Sequence, residues 1–100
     1  MKNKMTLKRI GMNTSVDIKD IRATDVRIEP EMFYVLLEDG REVGVPYTWF
    51  WRLAQASPKQ RQKWRFISGG YGIHWEEVDE DISIAGILKG NQNPTPPSTQ

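Results

Sequence analysis

The chain has 100 residues, 14 Lys and Arg against 13 Asp and Glu, a net charge of +1 and no cysteine. That length suits one domain, and the missing thiols exclude disulfides, thiolate zinc sites and cysteine nucleophiles. No apolar run approaches the roughly 20 residues that span a bilayer, and the lysine-bearing start lacks a signal peptide's apolar segment, so a cytoplasmic protein is expected.

In chain order, residues 1–15 read as a flexible basic arm without a sustained apolar period. A single α+β domain follows over 16–90, and the stretch 91–100, "NQNPTPPSTQ", reads as a disordered polar tail. A domain of this size buries only roughly 60% of its unfolded surface, so it gains from a partner or a second copy of itself.

"TDVRI" alternates, with Thr24, Val26 and Ile28 on one face and Asp25 and Arg27 on the other. Pro30 makes a turn, and "MFYVLLEDGREVGVPY" reads as a hairpin around Asp39 and Gly40. A two-residue turn there pairs Leu36 with Val43, Tyr34 with Val45 and Met32 with Tyr47 on one apolar face. The three segments form an antiparallel meander.

Then the period changes. "YTWFWRLAQAS" predicts a helix capped by Thr48, with Phe50, Leu53 and Ala54 facing inward. "SPKQ" predicts a second helix from Pro58, opened by a capping box between Ser57 and Gln60. "RFISGG" returns to strand character and "GIHW" continues or partners it. "DISIAGILKG" predicts a helical turn capped by Asp81 or Ser83 and stopped at Gly90. The fold expected is a small antiparallel sheet, the meander plus a later strand, packed against two or three short helices on one face.

"GGYG" lacks the spacing of a nucleotide-binding loop and is not followed by a convincing helix start, so Gly70 and Gly72 read as a tight turn that sets Trp75. His74 is the only histidine, and the acids after it do not match a calcium loop; no metal, cofactor or catalytic residue is expected. Charge is unevenly spread. No acid lies between Glu42 and Glu76, a stretch that holds Arg52, Lys59, Arg61, Lys63 and Arg65 among tryptophans; "EEVDED" follows at once. The basic set resembles nucleic-acid contacts in composition, against a nearly neutral whole. Trp51 falls between the helix's apolar stripes and is a candidate interface anchor.

The series "LEDG" at 37–40, "RLAQASPKQRQKW" at 52–64 and "GYGIHWEEVDEDISIAGIL" at 70–88 resembles a small bacterial family, domain of unknown function 2442, with Val78 where leucine is usual. The resemblance covers about residues 23–90, and Asp39, Gly40, Gly70, Gly72, His74 and Trp75 match motif positions. It implies a small α+β domain without established enzymatic activity. Many members look like companions of a second small protein, domain of unknown function 4160, in two-gene cassettes that resemble toxin–antitoxin pairs. Some longer relatives carry a helix-turn-helix after the domain, and the stretch after Gly90 reads here only as a polar tail. The expected function is therefore an interaction module, the antitoxin-like partner of a small toxin-like protein, with Trp51, Arg52, Glu76, Glu77 and Asp79 as contact residues. The alternative is a nucleic-acid-binding regulatory domain that uses Arg52, Lys59, Arg61, Lys63 and Arg65.

Overall fold

In the computed structural model, which describes residues 20–97, two antiparallel three-stranded sheets enclose one core, with short helical turns at their margins. The arm assigned to residues 1–15 lies outside the described residues. The first sheet is a meander of β1 (Ala23–Ile28), β2 (Met32–Leu37) and β3 (Glu42–Pro46). In β1, Val26 and Ile28 face inward as their alternation predicts. A bulge between Ala23 and Asp25 breaks the period, so Ala23 is buried in place of Thr24.

The hairpin register differs from expectation by one residue. Phe33 pairs with Val45, Val35 with Val43 and Leu36 with Glu42. The loop has three residues: Leu37 N–H donates to Arg41 O, Gly40 N–H donates to Leu37 O, and Gly40 takes φ +93°. Glycine is suited to that left-handed position, which closes a three-residue loop as readily as Asp-Gly closes a two-residue one. The slip exchanges the faces of β2. Phe33, Val35 and Leu37 are buried, while Leu36 is exposed and Met32 and Tyr34 are half-buried.

The predicted first helix is interrupted. Tyr47–Trp49 is a 3₁₀ turn that contains Thr48, Phe50 is extended, and α1 runs only from Trp51 to Ala54. Phe50 and Leu53 are buried, but Ala54 is exposed and Ala56 buried instead. The break has a partner. Asn93 N–H donates to Trp49 O at 2.7 Å and Trp51 N–H donates to Asn93 O at 3.0 Å, a parallel bridge across Phe50. The folded unit thus extends to Asn93.

α2 (Pro58–Arg61) has the predicted capping box, with Gln60 N–H donating to Ser57 Oγ and Ser57 N–H to Gln60 Oε1. β4 (Trp64–Ile67), β5 (Gly72–Trp75) and β6 (Glu80–Ser83) form a second sheet of their own, in place of the one later strand expected. α3 (Ile84–Lys89) starts at Ser83, whose hydroxyl accepts from Gly86 N–H, and Asp81 lies in β6 rather than at the cap. The class is α+β. Among the described residues no helix is long and apolar enough to cross a membrane.

The register of the second sheet sorts its side chains. The rows Trp64–Trp75–Glu80 and Phe66–Ile73–Ile82 face the core, and the row Arg65–His74–Asp81 faces out. Trp75 is fully buried, sits edge-to-face on Phe33 with centroids 5.4 Å apart, and joins the two sheets.

Candidate interaction site

The turn Ser68–Gly70 lets β4 double back as β5, with positive φ at Ser68, Gly69 and Gly70. Gly70 is buried against the start of β1. This "GGYG" stretch is therefore a joint between the sheets, and it delivers Trp75 to the core, where Trp75 Nε1 donates to Arg61 O at 3.0 Å.

The basic and acidic segments, apart in sequence, lie together in space. Lys63 Nζ is 2.6 Å from Glu77 Oε2, Arg65 Nη2 is 3.3 Å from Glu76 Oε1, and Arg52 Nη1 is 4.0 Å from Glu80 Oε1. The antiparallel pairing of β5 with β4 brings Glu76 and Glu77 back beside Arg65 and Lys63. Arg61 is engaged differently. Its guanidinium donates to the carbonyls of Leu53, Ala54 and Pro30 at 2.9–3.2 Å and stacks over the Tyr47 ring at 4.0 Å, closing the C-terminal end of α1. Lys59 is exposed on α2.

Trp51 and Arg52 lie at the start of α1, after the extended Phe50. The Arg52 guanidinium stacks 4.6 Å from the Trp51 ring, and both side chains are half-buried. With Gln55, Ala56 and Val78 they line a shallow depression of about 220 Å³. Val78 comes from the acidic turn, so the structure brings Trp51 and Arg52 beside the loop that carries Glu76, Glu77 and Asp79. Trp51 Nε1 is buried without a hydrogen-bond partner among the described residues. Asp79 is exposed at φ +56°, an uncommon conformation for a non-glycine residue, at the tip of that loop.

One residue of this neighbourhood escapes sequence reasoning. Glu80 belongs by composition with the solvated acids, yet its side chain is only 8% exposed. Burial pushes its carboxyl above the usual value, and Arg52 offsets part of that rise. The period of two in "EDIS", which places Glu80 on the face of Ile82, is the signal that could have found it.

His74 stands between carboxylates. Its Nδ1 meets Asp81 Oδ1 across β5–β6, and its Nε2 meets Glu76 Oε1 at 3.1 Å. Only the imidazolium can donate to both. The hydrogen bond to Asp81 chiefly raises the His74 pKa, helped by the charges of Asp81 and Glu76 and opposed by desolvation and Arg65. A histidine whose folded pKa exceeds its unfolded value of 6.5 stabilises the fold fully below pH 6.5. That contribution disappears as pH rises through the raised folded value. The expected result is that the melting temperature of the wild type, relative to that of His74→Gln, falls as pH increases above 6.5. A difference flat from acid to alkaline pH would rule out the linkage.

No curated protein matches the chain. Two solved structures are similar. A crystal structure of a protein of unknown function from Rhodospirillum rubrum has 30% identity and a TM-score of 0.68, over 74% of this chain and 92% of that one. A solution NMR structure of an uncharacterized protein from Chromobacterium violaceum has 22% identity and a TM-score of 0.64, over 72% of this chain and 68% of the other, and it shares the fold. The family model described as "Protein of unknown function (DUF2442)" matches residues 23–93, and the chain belongs to that family.

Proposed function

We propose that the protein is a non-enzymatic interaction module, the antitoxin-like partner of a small toxin-like protein, and that it binds through Trp51, Arg52 and the turn of Glu76, Glu77 and Asp79. The observation that carries this reading is the half-buried Trp51. Its indole N–H lacks a partner among the described residues, its ring is covered by Arg52, and it borders a depression shared with Val78. Tryptophan and arginine are the residues enriched at binding hot spots, and a rim of charge around them suits a protein partner. A domain this small gains stability from whatever binds its folded form. The nucleic-acid reading draws less support, because four of its five cations are engaged: Arg52 with Glu80, Arg61 with backbone carbonyls, Lys63 with Glu77 and Arg65 with Glu76.

The test is a tagged purification from native cells, with and without nuclease, of the wild type, Trp51→Ala and Lys59→Glu. A stoichiometric small protein should co-elute with the wild type and Lys59→Glu and be reduced at least about tenfold with Trp51→Ala, as expected of a hot-spot truncation. Retention by Trp51→Ala would overturn the assigned surface. Nucleic acid as the sole co-eluting species, lost with Lys59→Glu or nuclease, would overturn the module itself.

A further inference from the structure

The turn at residues 76–79 joins β5 to β6 and carries three of the assigned contact residues, Glu76, Glu77 and Asp79. His74 sits just ahead of it on the outer face of β5 and holds both of its limbs. Its Nδ1 meets Asp81 Oδ1, directly opposite in β6, and its Nε2 meets Glu76 Oε1 at 3.1 Å in the turn itself. The imidazole is only 13% exposed, whereas the Glu76 side chain is 73% exposed and open to whatever approaches the turn.

The charged groups that face the ring are Asp81 from β6, Glu76 from the turn and Arg65, its pairing neighbour in β4. With His74 protonated, two cations and two carboxylates balance. Loss of the proton leaves one more carboxylate than cations. A neutral imidazole has one N–H and one bare nitrogen, so it donates to only one of the two carboxylates and turns a lone pair on the other. Asp81 is the one retained. It is fixed by the β5–β6 pairing, and its hydrogen bond is the main cause of the raised His74 pKa. Glu76 lies in a turn and already shares Oε1 with Arg65 Nη2 at 3.3 Å. That remaining pair joins two exposed side chains, contributes little and yields to a competitor.

We propose that His74 is a proton-operated latch on the contact turn: protonated, it ties Glu76 down beside Asp81, and neutral, it releases the Glu76 carboxylate to a cationic group of the protein partner. The latch is predominantly closed at pH 6.5 and below, and it opens as the pH rises through the folded-state midpoint, which lies higher. The partner's use of the carboxylate rests on the interaction-module reading. The latch does not, since every group in it belongs to this chain.

The test is a pH titration of the full chain by NMR, in the wild type, His74→Gln and Asp81→Asn. In the wild type, the imidazole nitrogen shifts should show Nε2 losing its proton while Nδ1 keeps it. Motion of the Glu76 γ-methylene should increase with the same midpoint, and that of Glu77, tied to Lys63, should stay constant. His74→Gln should show no such transition at Glu76. In Asp81→Asn the His74 midpoint should fall, and the neutral ring should keep its proton on Nε2, facing the one carboxylate left, so that Glu76 stays held. The latch is overturned by a proton lost from Nδ1 in the wild type, or by a Glu76 side chain indifferent to the His74 titration. A Glu76 transition that persists in His74→Gln or is unchanged in Asp81→Asn also overturns it. Purified on either side of the midpoint, the wild type should retain about two- to fivefold more of the co-eluting small protein on the alkaline side, the value of one exposed ion pair, and His74→Gln should show no such ratio. A working latch without that gain overturns Glu76 as a pH-released contact. Failure of the interaction reading shows separately, as retention by Trp51→Ala, and leaves the latch standing.

Discussion

Trp75→Ala is expected to leave the domain largely unfolded in the absence of denaturant. Trp75 is fully buried, and its ring fills the junction of the two sheets against Phe33. Truncating a buried aromatic residue to alanine costs about 3–5 kcal/mol through lost transfer energy and the cavity left behind. A single core this small supplies a net stability of about the same size, roughly 3–5 kcal/mol, so the two cancel. Far-UV circular dichroism and urea titration would read the outcome. Trp75→Phe separates the contributions. It keeps a ring against Phe33 but leaves the Arg61 carbonyl without its indole donor, a loss of about 1–3 kcal/mol, and should remain folded with a lower urea midpoint. An alanine variant that folds with a midpoint close to the wild type would show that Trp75 does not tie the sheets together.

That a glycine turn sets Trp75 is legible in the sequence, but that Trp75 joins two sheets is not, because "RFISGG" and "GIHW" read as an addition to one sheet. The hairpin is less legible than the turn. "MFYVLL" is apolar on both faces, and Val43 and Val45 can face inward in either register, so the hydrophobic pattern cannot choose between two-residue and three-residue loops. Asp39-Gly40 satisfies both. In the register adopted, Phe33 faces inward, where it meets Trp75 of the second sheet and Tyr47 at the end of the first. Phe50 also departs from its predicted pattern. The period is real, but the backbone of Asn93, in a stretch with no hydrophobic signal, pairs across it and holds it extended. In the candidate site, Trp51 can be singled out because it does not fit an apolar stripe. The mutual neutralisation of the basic and acidic segments cannot be read, because it depends on β5 running back along β4. Glu80 is hidden by its neighbours: one buried acid in a run of solvated ones looks the same in composition.

The Gly70→Ala variant measures how closely the two sheets are coupled at their other contact. Gly70 has φ +99°, where an L-residue is strained whatever space is available. Here there is also no space. A Cβ at this position would lie 2.8 Å from the backbone oxygen of Ala23, the first residue of β1, and 3.4 Å from Arg22 Cβ. A backbone carbonyl in a paired strand cannot rotate away as a side chain does, so one sheet must shift against the other. The adjacent Gly69 is a matched control, with φ +67° and nothing within 4 Å of the place a Cβ would occupy. Gly69→Ala should cost about 1–2 kcal/mol of backbone strain, partly offset by the lower entropy of its unfolded chain. Gly70→Ala carries the strain and the collision together, and about 2–4 kcal/mol is expected. The quantity to measure is the difference between the two urea midpoints in otherwise identical proteins. A larger loss for Gly70→Ala assigns the excess to the approach of the turn to Ala23. Equal losses would mean that the glycines are kept for their backbone angles alone, and that the sheets are held together by the Phe33–Trp75 contact without help from this turn.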